Sequence, residues 1–373
     1  MKKILLFLGT SIMFFSNSIA QKFPQKQDLV NDMLLANSYF VKKWPDPTIP
    51  IISDKVRKSN LWTRGVYYEG LMELYKITQK KELLDYTKTW AEGHKYSLIY
   101  GPFNRHADGH CAAQTYIDLY LMEPSDNKIK ETKANIDSML NTSRVNDWTW
   151  IDALQMAMPV FAKLGVIYKN DAYFEKMYAL YEHSKNVEGG GLYNKTEKLW
   201  WRDKDFVPPY KTPGGKNCYW SRGNGWVVAA LVKVMEIMPP NAPHYDEYKK
   251  TYLEMMEAIL PLQREDGFWN VSLTDPSDYG GKELSGTALF AYGMAWGMNH
   301  GLLDKKKYLK PTLKAWEAMK KDCLHPDGKL GYVQSTGKQP SDGQPLSYDK
   351  EANFEDYGLG CYLLAGCEIY RLK

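Results

Sequence analysis

The chain is sparing with the residues that build metal and disulfide frameworks. Its five cysteines, Cys111, Cys218, Cys323, Cys361 and Cys367, are scattered. There is no Cys-x-x-Cys pair and no zinc spacing. An odd count argues against a full disulfide framework. Buried free thiols are the expectation, with Cys361 and Cys367 able to reach other elements. No polybasic tract occurs either. The 48 Lys and Arg, less Lys2 and Lys3 of the N-terminal segment, face 44 Asp and Glu, a balance of about +2. So near-neutral a chain is not expected to bind nucleic acid or an anionic membrane surface. Beyond the N-terminus no stretch is long and apolar enough to span a bilayer. Low-complexity linkers, a visible domain boundary and strand-like alternation are also missing.

The N-terminus has the pattern of an export signal. Lys2 and Lys3 precede an apolar run from residue 4 to 15, and Ser18-Ile19-Ala20 fits a small-x-small cleavage site before Gln21. No Cys follows that point, so lipid anchoring is not indicated. The expectation is a signal peptide over residues 1–20. A soluble exported protein would follow, periplasmic or else secreted, with residues 21–373 as one domain.

What is plentiful is aromatic surface and helical periodicity. Aromatics form 14% of the chain, with 12 Trp and 27 Tyr. That suits a carbohydrate-handling cleft and equally a large core. Helical spacing recurs over residues 26–42, 64–78, 81–95, 107–122, 127–140, 149–168, 171–184, 224–238, 245–262, 285–298, 306–322 and 354–371. Short strands are expected at 191–193, 267–269 and 331–333, in Gly-rich loops. The helices fall into two alternating kinds. Those at 65–74, 107–121, 150–164, 223–234, 285–297 and 357–369 are apolar and rich in small residues, as buried helices must be. The others are charged and amphipathic. Six of each predict an all-α fold, an (α/α)6 barrel of inner and outer helices. An open solenoid is the alternative, although neither end carries a polar capping repeat.

In such a ring the loops entering the inner helices share one rim, and there the sequence is most unusual. Trp220-Ser221-Arg222-Gly223-Asn224-Gly225-Trp226 places a cation, two indoles, two glycines and an amide at a helix start. Arg222 offers a planar fork for a carboxylate, and helix N-termini favour anions. Trp220, Asn224 and Trp226 could complete a pocket for an acidic sugar. The group could equally be a structural turn with an Arg salt bridge and core tryptophans. Trp150 and Asp152 open another inner helix. Desolvation there would raise the Asp152 pKa, whereas the helix dipole would lower it. Asp108, beside His106 and His110, is either a second carboxylate of the cavity or a first-turn Asp. His106 or His110 could orient it or bind a substrate hydroxyl, although a lone His near a helix start is more often structural. Asp108 and His110 lack a third partner, so no metal set is complete and no cofactor is expected.

Trp150-Ile151-Asp152, then Ala157-Met158-Pro159, then Trp220 to Trp226 resemble the signatures of glycoside hydrolase family 105, the unsaturated rhamnogalacturonyl hydrolases and their relatives. The resemblance runs over most of the chain in helix order. It implies removal of a 4,5-unsaturated uronic acid from the non-reducing end of lyase-generated oligosaccharides, of uronyl-rhamnose type from ulvan or rhamnogalacturonan. An acid protonates C4, water adds at C5, and the hemiketal opens and expels the next sugar. By position Asp152 is implied as the acid and then the base, Asp108 as the second carboxylate, and Arg222 as the uronate binder with Trp226 stacking. One departure stands out. Pectin-acting members carry a His in the preceding loop, where this chain has Leu199-Trp200-Trp201-Arg202-Asp203. Arg202, with Lys204 nearby, would suit a sulfated neighbouring sugar. The rival expectations are another (α/α)6 carbohydrate enzyme, such as an unsaturated glucuronyl hydrolase of glycosaminoglycans, and an exported non-catalytic sugar-binding protein.

Overall fold

The computed structural model describes residues 23–53 and 55–373. The expected signal peptide lies outside the described residues. Among the described residues twelve α-helices follow one another: α1 (Lys26–Lys43), α2 (Trp62–Thr78), α3 (Lys81–Gly93), α4 (Cys111–Met122), α5 (Lys130–Leu140), α6 (Asp152–Tyr168), α7 (Ala172–Asn186), α8 (Ser221–Ile237), α9 (Tyr245–Ile259), α10 (Leu284–Asn299), α11 (Lys305–Asp322) and α12 (Asp356–Arg371). The even-numbered helices pack in sequence from α2 to α12, and α12 closes on α2. The ring is therefore an (α/α)6 barrel, and the open solenoid is excluded. Among the described residues no helix is long and apolar enough to cross a membrane.

The two helix kinds sort as their composition requires. In α10 every residue from Leu284 to Met298 is buried, so it has no face for water. In the outer α3, Leu83, Thr87, Trp90 and Ala91 make one buried stripe flanked by half-buried Leu84 and Tyr86, and Lys81, Glu82, Asp85, Thr89 and Glu92 face solvent. All five cysteines are buried and free.

Ring closure depends on small residues at the α2–α12 seam. A Cβ on Gly70 would lie 2.5 Å from the Gly360 carbonyl oxygen, and a Cβ on Gly360 would lie 2.3 Å from that of Val66. Neither position tolerates a side chain without the backbones separating, because the obstacle is main chain.

The strand expectations were only partly right. Two antiparallel ribbons occur, β1 (Ile51–Ile52) with β2 (Val56–Arg57) and β3 (Tyr193–Asn194) with β4 (Leu199–Trp200). Only 191–193 touches one of them. Segments 267–269 and 331–333 are loops that pair with neighbouring rim segments instead, as in Leu284 N–H to the Tyr332 carbonyl at 2.9 Å. Helix starts also shift. Residues 149–151 stay out of α6 because the Ile151 N–H bonds the Arg202 carbonyl at 2.9 Å and Trp150 bridges to Asp203. Tertiary pairing thus outbids local helix propensity at the rim.

Gly360→Ala should destabilise the fold by about 1–3 kcal/mol through overpacking. Urea unfolding of the variant against the parent measures this, and an unchanged midpoint would contradict the close-approach account.

Candidate active site

The N-terminal ends of the inner helices meet at one rim. A Cβ on Gly65 of α2 would touch the Cys111 thiol of α4, and one on Gly286 of α10 would touch Ser221 of α8. Arg64 of α2 pairs with Asp356 of α12 at 3.1 Å, both buried. Helix starts carry N–H groups with no intrahelical partner, and acids cap some of them. Glu283 accepts from the N–H groups of Ser285 and Gly286 at 2.9 and 2.6 Å. Asp356 accepts from Tyr357 N–H at 2.9 Å.

Asp152 and Asp108 stand on this rim in unlike surroundings. Arg202 donates from Nε to Asp152 Oδ2 at 3.2 Å and from Nη1 to Asp203 Oδ2 at 2.7 Å. Asp108 sits in a helical turn over Ala107–Gly109 ahead of α4. Its N–H donates to His106 Nδ1 at 3.3 Å, but among the described residues no guanidinium or ammonium reaches its carboxylate in an ion pair. Burial and the neighbouring Asp152 charge push the Asp108 pKa up to about 7, against a weaker opposing pull from Arg202. The sequence expectation had put the raised carboxyl on Asp152. The structure shows a raised carboxyl at Asp108, and Arg202 faces Asp152. His106 is held below the usual imidazole range by burial. Its ring lies 4.7 Å from that of half-buried Trp150 and its Nδ1 3.8 Å from Asp108 Oδ2.

The Trp220–Trp226 motif does not line this cleft as expected. Arg222 is 1% exposed. Its Nη1 donates to the Gln334 carbonyl at 2.9 Å and to Tyr357 Oη at 2.7 Å, and its Nη2 to the Ser335 carbonyl at 2.8 Å. The guanidinium also lies over the Trp220 and Tyr357 rings. It is a staple for the loop between α11 and α12, with Nη1 making two bonds and Nη2 one, while its buried Nε has no hydrogen-bond partner among the described residues. Asn224 is fully buried, and its amide is spent as well. Oδ1 accepts from Trp200 N–H at 2.9 Å, while Nδ2 donates to the carbonyls of Trp200 and Trp220 at 3.0 and 3.1 Å. That clamp fixes β4, two residues before Arg202. Trp226 is buried against Trp62 and Tyr357, and Trp220 Nε1 bonds Gln334 Oε1 at 2.9 Å. His110 is buried on Asn135 Oδ1 at 2.8 Å, neutral with its pKa pushed down to about 4 by burial. These five residues were expected to touch substrate. As placed, they lie buried behind the rim, and among the described residues Arg222 Nε, Trp226 Nε1 and His110 Nδ1 have no hydrogen-bond partner.

Sequence reasoning quoted Asp203 only as part of the Leu199-Trp200-Trp201-Arg202-Asp203 loop and gave no role to it or to Tyr357, and it passed over the Gln334–Ser335 loop. It also passed over a polar plug in the lumen. There Glu69 accepts from Lys233, from Gln155 Nε2 at 2.8 Å and from the Cys111 thiol at 3.3 Å. A lone acid or lysine inside an apolar inner helix was the available signal. At the far end of the barrel, a cavity of about 560 Å³ has its charges paired internally, as in Lys163–Asp118 and Arg371–Glu73.

A ring of helices carrying two inequivalent carboxylates and a guanidinium on its rim is the frame of a glycosidase, and the comparisons agree. The model of Glycosyl Hydrolase Family 88 matches residues 35–373, and the chain belongs to that family. It is 33% identical over 335 residues to the unsaturated 3S-rhamnoglycuronyl hydrolase of Formosa agariphila, covering 84% of this chain and 85% of that one. Among solved structures, a family 88 glycosyl hydrolase from Bacteroides vulgatus superposes with a TM-score of 0.84 at 31% identity, over 93% of this chain and 99% of the other. A possible family 105 member from Salmonella enterica shares the fold, with a TM-score of 0.74 at 20% identity over 94% and 96% of the two chains. The resemblance read from the Trp150–Asp152 and Trp220–Trp226 segments stands within this match.

Two outcomes follow from the geometry. Arg222→Ala leaves the Ser335 carbonyl without its Nη2 donor and the Gln334 carbonyl with the Tyr357 hydroxyl alone, and should cost about 2–4 kcal/mol of stability in urea unfolding. An ordinary carboxyl of the unfolded chain titrates near 4, whereas folded Asp108 titrates at about 7. The folded state thus holds the proton more tightly, and this contribution is lost as pH rises from about 4 through about 7. Asp108→Asn, which cannot ionise, should therefore gain stability on the parent across that window, reaching about 2–4 kcal/mol above it. A constant difference from pH 4 to 8 in parallel melts would remove Asp108 as the buried titrating group.

Proposed function

We propose that this chain hydrolyses unsaturated uronyl-rhamnose oligosaccharides, removing the 4,5-unsaturated uronic acid from the non-reducing end. The observation that carries the reading is the pair of rim carboxylates: one faces a guanidinium, and the other carries a proton near neutral pH. Hydration of a vinyl ether needs both a proton donor for C4 and a carboxylate to take a proton from water. It needs no nucleophile at the anomeric carbon, unlike retaining glycoside cleavage. The relative named for 3S-rhamnoglycuronyl substrates supports the sugar class.

The site residues take the following parts. Asp152 and Asp108 exchange protons with substrate and water. Arg202, whose side chain is 19% exposed, replaces Arg222 as the cation for the uronate carboxylate. Its Nη2 makes none of the bonds to Asp152 or Asp203, and a charge-assisted hydrogen bond there contributes roughly 1.5–3 kcal/mol. That selects an acidic over a neutral sugar by about one to two orders of magnitude. Trp150 and His106 present ring faces to the sugar. Export of the chain to the periplasm would place it where lyase products enter the cell.

Incubation with lyase-generated oligosaccharides from ulvan, pectin and glycosaminoglycans, followed by loss of the enol-ether ultraviolet band, tests the reading. Turnover is expected on the uronyl-rhamnose substrates, with sulfated and unsulfated forms compared side by side. Asp152→Asn and Asp108→Asn should each lower kcat by about 10²–10⁴ while the folded protein still binds substrate. Activity confined to saturated glycosides, or full activity of both variants, would overturn the assignment.

A further inference from the structure

The far half of the barrel lumen is hollow, and all six inner helices line it. Each gives residues three or four apart, as Glu69, Glu73 and Lys76 do on α2 and Tyr292, Trp296 and Asn299 on α10. The cavity of about 560 Å³ has the size of a small-molecule site, for which about 300–1,000 Å³ is usual. Asp108, Asp152 and Arg202 take no part in its wall. Lys163, which does, stands eleven residues after Asp152 on α6, about 16 Å along the helix axis. Between the two ends lies the Glu69–Lys233 pair, with Gln155 donating to Glu69 at 2.8 Å. The hollow is thus separate from the carboxylate rim.

The wall has one unanswered group. Tyr292 is 6% exposed and lines the cavity, and its hydroxyl has no hydrogen-bond partner among the described residues. Burial raises its pKa, so the hydroxyl stays a donor as well as an acceptor. The charges around it are already settled. Glu73 pairs with Lys76 and Arg371, Asp118 with Lys163, Glu69 with Lys233 and Glu368 with Arg371. Glu236 faces His300 at 3.0 Å and accepts from Trp296 Nε1 at 2.8 Å. A charged ligand would have to break one of these pairs and leave its partner stranded in a low-dielectric wall. A neutral molecule rich in hydroxyls breaks none. A carboxylate accepts about four hydrogen bonds and an ammonium donates three, so each pair keeps capacity for hydroxyl groups. Val166, Ile167 and Leu364 set apolar surface among the charges, which suits the C–H faces of a sugar ring. We propose that the far half of the lumen is a second ligand site, for a neutral mono- or disaccharide, with Tyr292 as its free hydrogen-bonding group. The rim and the far cavity then differ in what they take: an acidic sugar at one end, a neutral one at the other. This second site does not depend on the uronide-hydrolase reading.

The test uses the full chain labelled with ¹⁵N at its tryptophan indoles. The Trp296 indole N–H reports on the cavity and that of Trp150 on the rim, each assigned through its Trp→Phe variant. Methyl α-L-rhamnoside is the neutral probe, 1,4-diaminobutane the cationic one and methyl β-glucuronide the anionic one. The rhamnoside should move the Trp296 signal saturably, and the two charged probes should move it only at higher concentration. Tyr292→Phe, which removes the hydroxyl and keeps the ring, should weaken the rhamnoside response of Trp296 by about two- to tenfold. Val166→Trp, at a half-open position of the wall, fills the cavity and should abolish that response. It also serves if Tyr292→Phe does not fold. A Trp296 signal that no probe moves, or a rhamnoside that moves Trp150 alone, would overturn the second site. So would tighter binding of either charged probe at Trp296, or unchanged rhamnoside binding in either folded variant. None of these results bears on turnover at the rim, so the uronide reading stands or falls separately.

Discussion

Crowding of the inner-helix N-termini on one rim is the constraint from which the rest follows. Six helix starts bring unpaired N–H groups and partial positive charge into a small area. Acids answer them: Glu283 caps α10, Asp356 sits at the start of α12 and Asp152 at the start of α6. Most such acids are then neutralised or held by a neighbour, as Asp356 is by Arg64. Asp108 lacks a cationic partner and keeps its proton to about neutral pH. A fold that must gather acids at one end thus supplies the inequivalent carboxyl pair that vinyl-ether hydration requires.

The catalytic surface is thin, and its support is deep. Asn224 spends its whole amide on Trp200 and Trp220. It holds the ribbon that delivers Arg202 to Asp152. Arg222 performs the matching task on the other side by stapling the Gln334–Ser335 loop. The absence of a Cβ at Gly223 lets Ile151, the residue before Asp152, pack 3.1 Å from where that atom would stand. The most distinctive segment of the chain is therefore scaffold, fixing two loops and one helix start within a few ångströms. Placement of that accuracy is what proton transfer to a particular carbon demands.

Much of this was legible in the residues. The alternation of apolar and amphipathic helices foretold the barrel, because a helix apolar all round has only the interior to occupy. Asp108, Asp152, Trp150 and Arg202 were recognisable as odd residues just before inner helices, and all four lie on the rim. The partners were not legible, and for one reason. Arg222 was taken for a ligand binder, and the raised Asp108 carboxyl was not foreseen, since the sequence names residues but not their partners. The Gln334 carbonyl that engages Arg222 is 112 residues away, and the Arg202 that faces Asp152 is 50 residues away.

The sequence by itself determined the architecture, the rim on which chemistry is gathered and the family to which the chain belongs. Each of these is written in local periodicity and contiguous motifs. Only the tertiary structure decided which arginine faces a carboxylate, which carboxyl keeps its proton and which tryptophans remain near the surface. Charge state and exposure are set by whatever stands within a few ångströms. In a closed ring, those neighbours come from helices and loops far apart in the chain.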